Sequence, residues 1–275
     1  MTFAAALTSR EFAVALEITP PQKPLPAVLL RRAQLLGGGV RAINVIQRPG
    51  RQPSLDACIF LRAEGFAPTW HLVTRGATRA ELAVQLGQAA AGGIQQVLCI
   101  RGDHAGSDSP DTPSIREAIG MVRDLLPGAL IGATMNHYAP DQGAALKNLL
   151  PKLRAGATYV QTQPVFDLAQ LEPIAQATKD AVPGTSVVAM VMPILSLEAA
   201  RRIEERIGVR LPDGLRARLA TGDAEDAWAA FDETLAALHA SPLVDGVAVM
   251  TFEMDAPRSM GARILQGLRA AGCRV

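Results

Sequence analysis

The amino-acid sequence predicts a TIM barrel, the closed (β/α)8 class of α/β fold, formed by residues 1–275 as a single domain. Eight short apolar segments alternate with amphipathic helical segments, and most are hydrophobic on both faces, as buried parallel strands must be. No phosphate-binding GxGxxG motif follows the first strand, so a closed barrel is favoured over an open doubly wound sheet. An extra helix is predicted at about 212–240, before the last strand. The predicted strands are residues 11–19, 41–47, 67–75, 95–103, 129–136, 158–165, 186–194 and 245–252.

Helical segments fill the gaps between these strands, and two of them begin with capping boxes. Thr78 is followed by Glu81, and Ser114 is followed by Glu117. In this arrangement the two side chains satisfy two backbone donors that a helix start otherwise leaves unpaired. The run Gly37–Gly39 predicts a turn between a helix and a strand rather than a phosphate-binding loop.

The composition is that of a folded protein with a large core. Hydrophobic residues make up 49% of the chain and charged residues 19%, which excludes global disorder. The net charge of +1 gives no electrostatic reason to expect binding to nucleic acid or to an anionic membrane surface. No stretch approaches ~18 consecutive apolar residues, and the first residues do not form a signal peptide. We therefore expect a cytoplasmic protein without a membrane partner, either a monomer or a homo-oligomer.

The cysteines and histidines do not form a metal-binding pattern. Cys58, Cys99 and Cys273 are far apart, and no CxxC motif is present. The four histidines lack HxH and HExxH spacing. We expect no metal site and a reducing compartment.

Polar residues follow the predicted strands at the end where TIM barrels carry their active sites. A single residue of this kind most often bonds to loop backbone. Packing alone does not require polar residues at the ends of most strands. A ring of such residues around one end of the barrel therefore indicates a functional site. Its members are Glu17, Gln47, His71 with Arg75, Arg101 with Asp103, Asn136, Gln163 and Glu253.

Five segments have the residues and spacing of a known enzyme family. They are LEITPPQ, with Glu17 before a Pro-Pro pair, HLVTR, GGIQQVLCIRGD, GATMNHYAP and KLRAGATYVQTQPVFD. Together they resemble the methylenetetrahydrofolate reductases over residues 10–255 or so. The most specific segments are KLRAGATYVQTQPVFD and LEITPP.

The resemblance implies reduction of 5,10-methylenetetrahydrofolate to 5-methyltetrahydrofolate with NAD(P)H. Glu17 matches the general acid of the family, and a carboxyl group against apolar strand walls should also have a raised pKa. Asp103 matches an aspartate between flavin and pterin, where a carboxylate favours the developing cation. Gln163 matches the glutamine that holds the pterin, whose donors and acceptors suit an amide. Asn136, at the end of the fifth strand, is expected to bind substrate beside it.

The same resemblance implies FAD as the cofactor. Four residues fall on positions that contact FAD in the family, namely His71, Arg101, Ala133 and Lys152. The two cations suit a pyrophosphate. At two flavin-contact positions the residues differ from those of relatives. Ile46 stands where a threonine commonly bonds to the flavin, and Ala145 stands where some members have a ribose-binding aspartate. We therefore expect weak binding and partial occupancy by FAD.

Several alternatives remain open at this stage. The enzyme could transfer hydride directly from NAD(P)H without a flavin, or use tetrahydromethanopterin as the carrier. It could also be a non-catalytic folate-binding subunit, although the presence of Glu17 argues against that. A barrel lyase or aldolase would need a lysine at a strand end, and none of the predicted strands has one.

Overall fold

In the computed structural model, which describes residues 2–102 and 109–275, eight parallel strands close into a barrel in chain order. The strands are β1 (Ala13–Ile18), β2 (Ala42–Val45), β3 (Pro68–Val73), β4 (Gln96–Ile100), β5 (Leu130–Met135), β6 (Tyr159–Pro164), β7 (Ser186–Val191) and β8 (Gly246–Met250). The first strand pairs with both β2 and β8, so the sheet has no open edge. The predicted TIM barrel is confirmed, with each predicted strand present and most of them shorter at both ends.

Helices surround this barrel. They are α1 (Phe3–Ser9), α2 (Pro26–Ala33), α3 (Ser54–Ala63), α4 (Arg79–Ala91), α5 (Ile115–Leu125), α6 (Gln142–Ala155), α7 (Leu168–Ala181), α8 (Leu197–Ile207), α9 (Asp213–Ala220), α10 (Ala224–Ala240) and α11 (Arg258–Ala270). The extra helix predicted at about 212–240 is in fact two helices, α9 and α10. Between them Gly222 has a φ of +75°, a left-handed conformation that favours glycine. In the described part of the chain no helix is both long and apolar enough to cross a membrane.

The local signals read from the sequence are also found. Both predicted capping boxes are complete: Thr78 pairs with Glu81 at the start of α4, and Ser114 with Glu117 at the start of α5. The run Gly37–Gly39 forms one short 3₁₀ turn between α2 and β2, as the predicted turn required.

Each strand presents alternate residues to the helices and to the barrel interior. On β1, Val14 and Leu16 pack in the large core between sheet and helices, whereas Ala13 and Ala15 belong to a separate interior cluster. Glu17 continues the interior face by two residues. The alternation therefore places this carboxylate inside the barrel, at the carboxyl end of its strand.

The amino-terminal end of the barrel interior is closed by α1, a helix that the sequence did not predict. Phe3 of this helix packs against Tyr159 with ring centroids 6.0 Å apart and an interplanar angle of 82°. The Tyr159 ring lies directly over Gly132, where a Cβ atom would overlap it. Small residues such as Ala15 complete the cluster. This end of the interior is thus filled by side chains.

Candidate active site

A cavity of about 1030 Å³ opens at the carboxyl ends of the strands. Its volume lies near the upper limit of the roughly 300–1,000 Å³ typical of small-molecule sites. Its polar lining includes Glu17, Gln47, His71, Arg101, Asn136, Lys152, Gln161 and Gln163. The barrel therefore gathers most of the polar residues predicted at strand ends around one space.

Glu17 lies at the boundary between the cavity and the barrel interior. Its residue is only 5% exposed, and burial raises the pKa of its carboxyl group from 4.5 to about 7. The amides of Gln161 and Asn44 oppose this rise with smaller effects, because they favour the ionised carboxylate. A carboxyl group with this pKa holds a proton in a large fraction of molecules at neutral pH and can donate it.

Two buried amides support Glu17. The Nε2 group of Gln161 donates a hydrogen bond of 2.6 Å to Oε2 of Glu17. The Nδ2 group of Asn44 in turn donates a 2.8 Å hydrogen bond to Oε1 of Gln161. Sequence reasoning missed both residues because they lie within strands rather than at their ends. The signal that could have found them is their position two residues before Ile46 and Gln163, on the same face.

His71 stands beside the acid on β3. Its Nε2 atom is 3.9 Å from Oε2 of Glu17, and burial lowers its pKa to about 4. The imidazole is therefore neutral at physiological pH. Its Nε2 atom is buried and has no hydrogen-bond partner among the described residues, so it can accept or donate one bond to a bound molecule.

The predicted pterin-binding residue Gln163 lines the cavity at an irregularity in β6. The pairing register of β6 with β7 shifts between Gln161 and Pro164, and the backbone N–H of Met190 donates to the hydroxyl of Thr162 instead. Bulges of this kind re-aim side chains near active sites. Gln163 thus reaches the cavity from a locally re-aimed segment.

Asn136 and Gln47 line the cavity while also ordering its loops. The Oδ1 atom of Asn136 accepts a hydrogen bond of 3.1 Å from the backbone N–H of Tyr138. The Oε1 atom of Gln47 accepts one of 2.8 Å from the backbone N–H of Ser54 at the start of α3. Both amides therefore have a structural task, and each keeps an NH₂ group that is not used in these bonds.

Cationic side chains predominate in the cavity lining. Lys152 projects from α6, and burial lowers the pKa of its ammonium group. The other cations in the lining are Arg48, Arg101 and Arg206. The acids in the lining, among the described residues, are Glu17 and Asp141, and Asp141 caps α6 through the backbone N–H of Ala144. This balance suits ligands that carry negative groups.

Among the described residues, the predicted flavin contact Ala133 and the strand-end residues Arg75 and Glu253 do not line the cavity. Ala133 is fully buried, and its side chain packs in the core between sheet and helices. Alternation along β5 explains this, since the neighbouring Thr134 faces the cavity. Asp103 lies outside the described residues. Ile46 and Ala145, the two departures from the expected flavin contacts, do line the cavity.

Within residues 2–102 and 109–275 no group of three histidine, cysteine or acidic side chains could hold a metal ion.

The buried acid lies at the carboxyl ends of the strands of a closed TIM barrel. Enzymes of this fold have their active sites at the same end. Comparison with known proteins narrows the class further. The family model described as methylenetetrahydrofolate reductase matches residues 2–256, and the chain belongs to this family.

One curated relative with the same family description is similar to most of this chain. A probable methylenetetrahydrofolate reductase (NADPH) from Caenorhabditis elegans is 26% identical over 217 residues, which are 72% of this chain and 33% of that protein. This chain therefore spans about a third of the relative's length.

Solved structures share the fold. A protein from Clostridium thermocellum that binds two copies of 5-methyl-5,6,7,8-tetrahydrofolic acid gives a TM-score of 0.73 at 12% identity, covering 98% of this chain and 99% of that one. Tryptophan synthase from M. tuberculosis gives 0.57 at 12% identity, covering 99% and 97%. At such identities the likeness concerns the fold alone.

Proposed function

We propose that this protein reduces 5,10-methylenetetrahydrofolate to 5-methyltetrahydrofolate, with NAD(P)H as the electron donor. The observation that carries the proposal is Glu17, a buried carboxyl group with a pKa of about 7 that borders a large cavity. Membership of the methylenetetrahydrofolate reductase family supplies the substrate class.

Glu17 acts as the general acid. In the substrate a methylene carbon bridges N5 and N10 of the folate. The carboxyl group of Glu17 donates its proton to N10, the bond between the methylene carbon and N10 breaks, and its electron pair stays on N10. The lone pair of N5 then forms a double bond to the carbon, giving an N5-iminium. Hydride addition at that carbon gives the methyl group, and Glu17 recovers a proton from solvent.

Gln163 and Asn136 orient the folate. A pterin presents several donors and acceptors on one edge, which an amide can match. Gln163 and Asn136 both line the cavity on the side of β5 and β6. The cationic lining, including Arg48 and Arg206, suits the carboxylates of the folate's glutamate portion.

The cavity also has features that suit FAD. Lys152 is a half-buried cation that forms no ion pair with the described residues, and Arg101 lines the same space. The two cations would hold the pyrophosphate of FAD. The orphaned Nε2 atom of His71 would face the ring system. A flavin bound there would supply hydride transfer between NAD(P)H and the folate.

A second candidate is direct hydride transfer from NAD(P)H to the same substrate. The observation that favours it is the apolar pair Ile46 and Ala145 in the cavity lining. By the family resemblance, a threonine that bonds to the flavin is common at the first position, and some members have a ribose-binding aspartate at the second. Each missing partner removes a hydrogen bond of ~0.5–1.5 kcal/mol, or more if charged.

One assay tests the function and separates these candidates. Purified protein, stripped of any flavin, is incubated with 5,10-methylenetetrahydrofolate and NADH or NADPH, with and without added FAD. Formation of 5-methyltetrahydrofolate is followed by mass spectrometry. We expect product only with added FAD. Full turnover without FAD would favour direct hydride transfer, and no product with either nicotinamide would contradict the proposed function.

A further inference from the structure

We propose that Gln161, held in place by Asn44, is a positioning residue that fixes the carboxyl group of Glu17 and determines which of its oxygens carries the transferable proton. The proposal rests on the proposed function for the role of that proton. The hydrogen-bonded arrangement itself does not depend on the reaction.

The three residues converge from different parts of the barrel. Glu17 and Asn44 are paired neighbours on β1 and β2, whereas Gln161 belongs to β6, which pairs with neither strand. The contact between Gln161 and Glu17 therefore crosses the barrel interior. Asn44 is 1% exposed, Gln161 2% and Glu17 5%, so water cannot easily replace any of these hydrogen bonds.

The contacts determine how both amides are oriented. An ionised carboxylate only accepts hydrogen bonds, so the NH₂ group of Gln161 must face Glu17. The oxygen of Gln161 then faces Asn44 and requires a donor, which the NH₂ group of Asn44 supplies at 2.8 Å. If the amide of Gln161 alone were turned by 180°, its NH₂ group would face the NH₂ group of Asn44. If the amide of Asn44 alone were turned, the two amide oxygens would face each other. Asn44 is thus what keeps the donor of Gln161 directed at the acid.

This orientation assigns the proton to one oxygen. The Oε2 atom of Glu17 accepts the 2.6 Å hydrogen bond from Gln161. In the neutral carboxyl group the oxygen that accepts this bond is the carbonyl oxygen, so the proton lies on Oε1. Oε1 is therefore the atom that donates to the substrate nitrogen. After transfer the new carboxylate is stabilised by the bond that is already in place, which favours release of the proton.

The two titratable groups nearest Glu17 inside the barrel are neutral at physiological pH. His71, from β3, is neutral above about pH 5 because burial lowers its pKa to about 4. Tyr159, from β6, is also neutral, because burial raises the pKa of its hydroxyl. Arg48 and Arg206 line the cavity with Glu17. Lys152, from α6, also lines the cavity, and burial lowers its pKa. The infrared band that is lost in Glu17→Gln is therefore what assigns a change with pH to Glu17.

The test replaces Gln161 with methionine, which has similar volume but no amide. The matched control is Gln96→Met, since Gln96 is also a buried amide of the barrel, bonded at 3.1 Å to the hydroxyl of Thr69 rather than to the acid. Two readouts are taken. The first is the pH at which turnover falls on the alkaline side. The second is an infrared titration of the Glu17 carboxyl band, identified by its loss in Glu17→Gln, in protein without substrate.

Loss of the donor removes an interaction that favours the ionised form. In Gln161→Met we therefore expect the alkaline fall in turnover and the infrared titration to move together to higher pH, by roughly one to two pH units. The carboxyl C=O band should also move to higher frequency because its hydrogen bond is gone. Gln96→Met should leave both readouts at the wild-type position. A purely structural role for Gln161 would lower turnover at all pH values without moving either readout.

The proposal is overturned if Gln161→Met leaves the infrared titration of Glu17 unchanged, or if Gln96→Met moves it equally. If Gln161→Met does not fold, Asn44→Leu decides instead: we expect a smaller shift in the same direction, and no shift contradicts the proposal. The infrared arm needs no turnover. A wild-type protein without reductase activity would therefore count against the proposed function while the contact to Glu17 is still tested.

Discussion

The two ends of the barrel interior are built from the same strands but do different things. Along the inner face of β1, Ala13 and Ala15 pack with α1 in an apolar cluster, whereas Glu17, four residues or about 13 Å beyond Ala13, is a buried acid. The inward-facing residues of β6 also change from apolar packing to polar contacts towards the carboxyl end. Tyr159 packs on Phe3, and Gln161 binds Glu17.

This difference separates stability from chemistry. The amino-terminal end buries apolar side chains and uses small residues, such as Gly132 under the Tyr159 ring, to let them fit. The carboxyl-terminal end buries polar groups that cost free energy, and it leaves Nε2 of His71 and Oδ1 of Asn44 without partners among the described residues. Substitutions at the two ends should therefore change different measurements.

The largest expected effect is on turnover, at the polar end. Glu17→Gln keeps the shape of the side chain but removes the proton that opens the folate ring. Turnover with 5,10-methylenetetrahydrofolate should fall by ~10²–10⁴. Reduction of added FAD by NAD(P)H, measured by loss of its visible absorbance, should survive because it requires no ring opening. The control Glu172→Gln makes the same change on the exposed side of α7 and should match wild type. Loss of both half-reactions in Glu17→Gln would indicate a structural role for the residue.

At the apolar end the corresponding change should affect stability. Phe3→Ala removes a ring that is 1% exposed and leaves a cavity beneath Tyr159. The free energy of unfolding should fall by about 3–5 kcal/mol, measured in urea. The pH profile of turnover in the folded fraction should not move. Leu125→Ala, at a side chain that is 46% exposed, is the control and should cost little. A shifted pH profile in Phe3→Ala would contradict the claim that the apolar end affects only stability.

A smaller effect is expected where the cavity meets the folate. Gln163→Ala should weaken folate binding roughly ten- to a hundredfold, because a buried polar group of the ligand loses its partner at ~1–3 kcal/mol. The melting temperature should stay near that of wild type. Folate affinity is measured by calorimetry, with Gln176→Ala on the exposed face of α7 as the control. An unchanged affinity would remove Gln163 from the folate site.

The smallest expected effect concerns flavin affinity. Ile46→Thr introduces a hydroxyl into the cavity lining at a position where the resemblance predicts a flavin contact. One neutral hydrogen bond of ~0.5–1.5 kcal/mol corresponds to a roughly two- to tenfold tighter dissociation constant for FAD. Flavin fluorescence during titration measures it, and Val84→Thr on exposed α4 is the control. FAD that binds no tighter to Ile46→Thr would show that this position does not face the flavin.

The sequence was sufficient to predict the barrel, and it singled out polar residues that the fold brings around one cavity. Apolar strands separated by capped helices have a strong periodic signal, and strand ends form a ring in any closed parallel barrel. Glu17 and Gln163 were predicted as site residues because they lie near those ends, and both line the cavity. The helix α1 was missed because seven residues are too few for a periodic pattern, and only tertiary contacts with Tyr159 give it a role.

The supporting residues were harder to predict. Asn44 and Gln161 are polar residues within strands, and only the closed geometry shows that they meet across the interior. Ala133 was expected at the flavin, yet its side chain faces the helices because strand residues alternate. A resemblance transfers positions between chains, whereas the direction of each side chain follows from the strand that carries it.

The protonation of Glu17 at neutral pH can be measured through stability. Its pKa is about 7 in the folded protein against 4.5 ordinarily, so between these values the folded state holds a proton that the unfolded state has released. Stability is therefore lost as pH rises through this window, by about 3 kcal/mol in full. Glu17→Gln has no such proton. We expect the unfolding free energy of Glu17→Gln, minus that of wild type, to grow by about this amount from pH 4.5 to pH 8. A difference that stays constant with pH would show that Glu17 titrates in the folded protein as it does in the unfolded chain. It would then be ionised at neutral pH and could not be the acid.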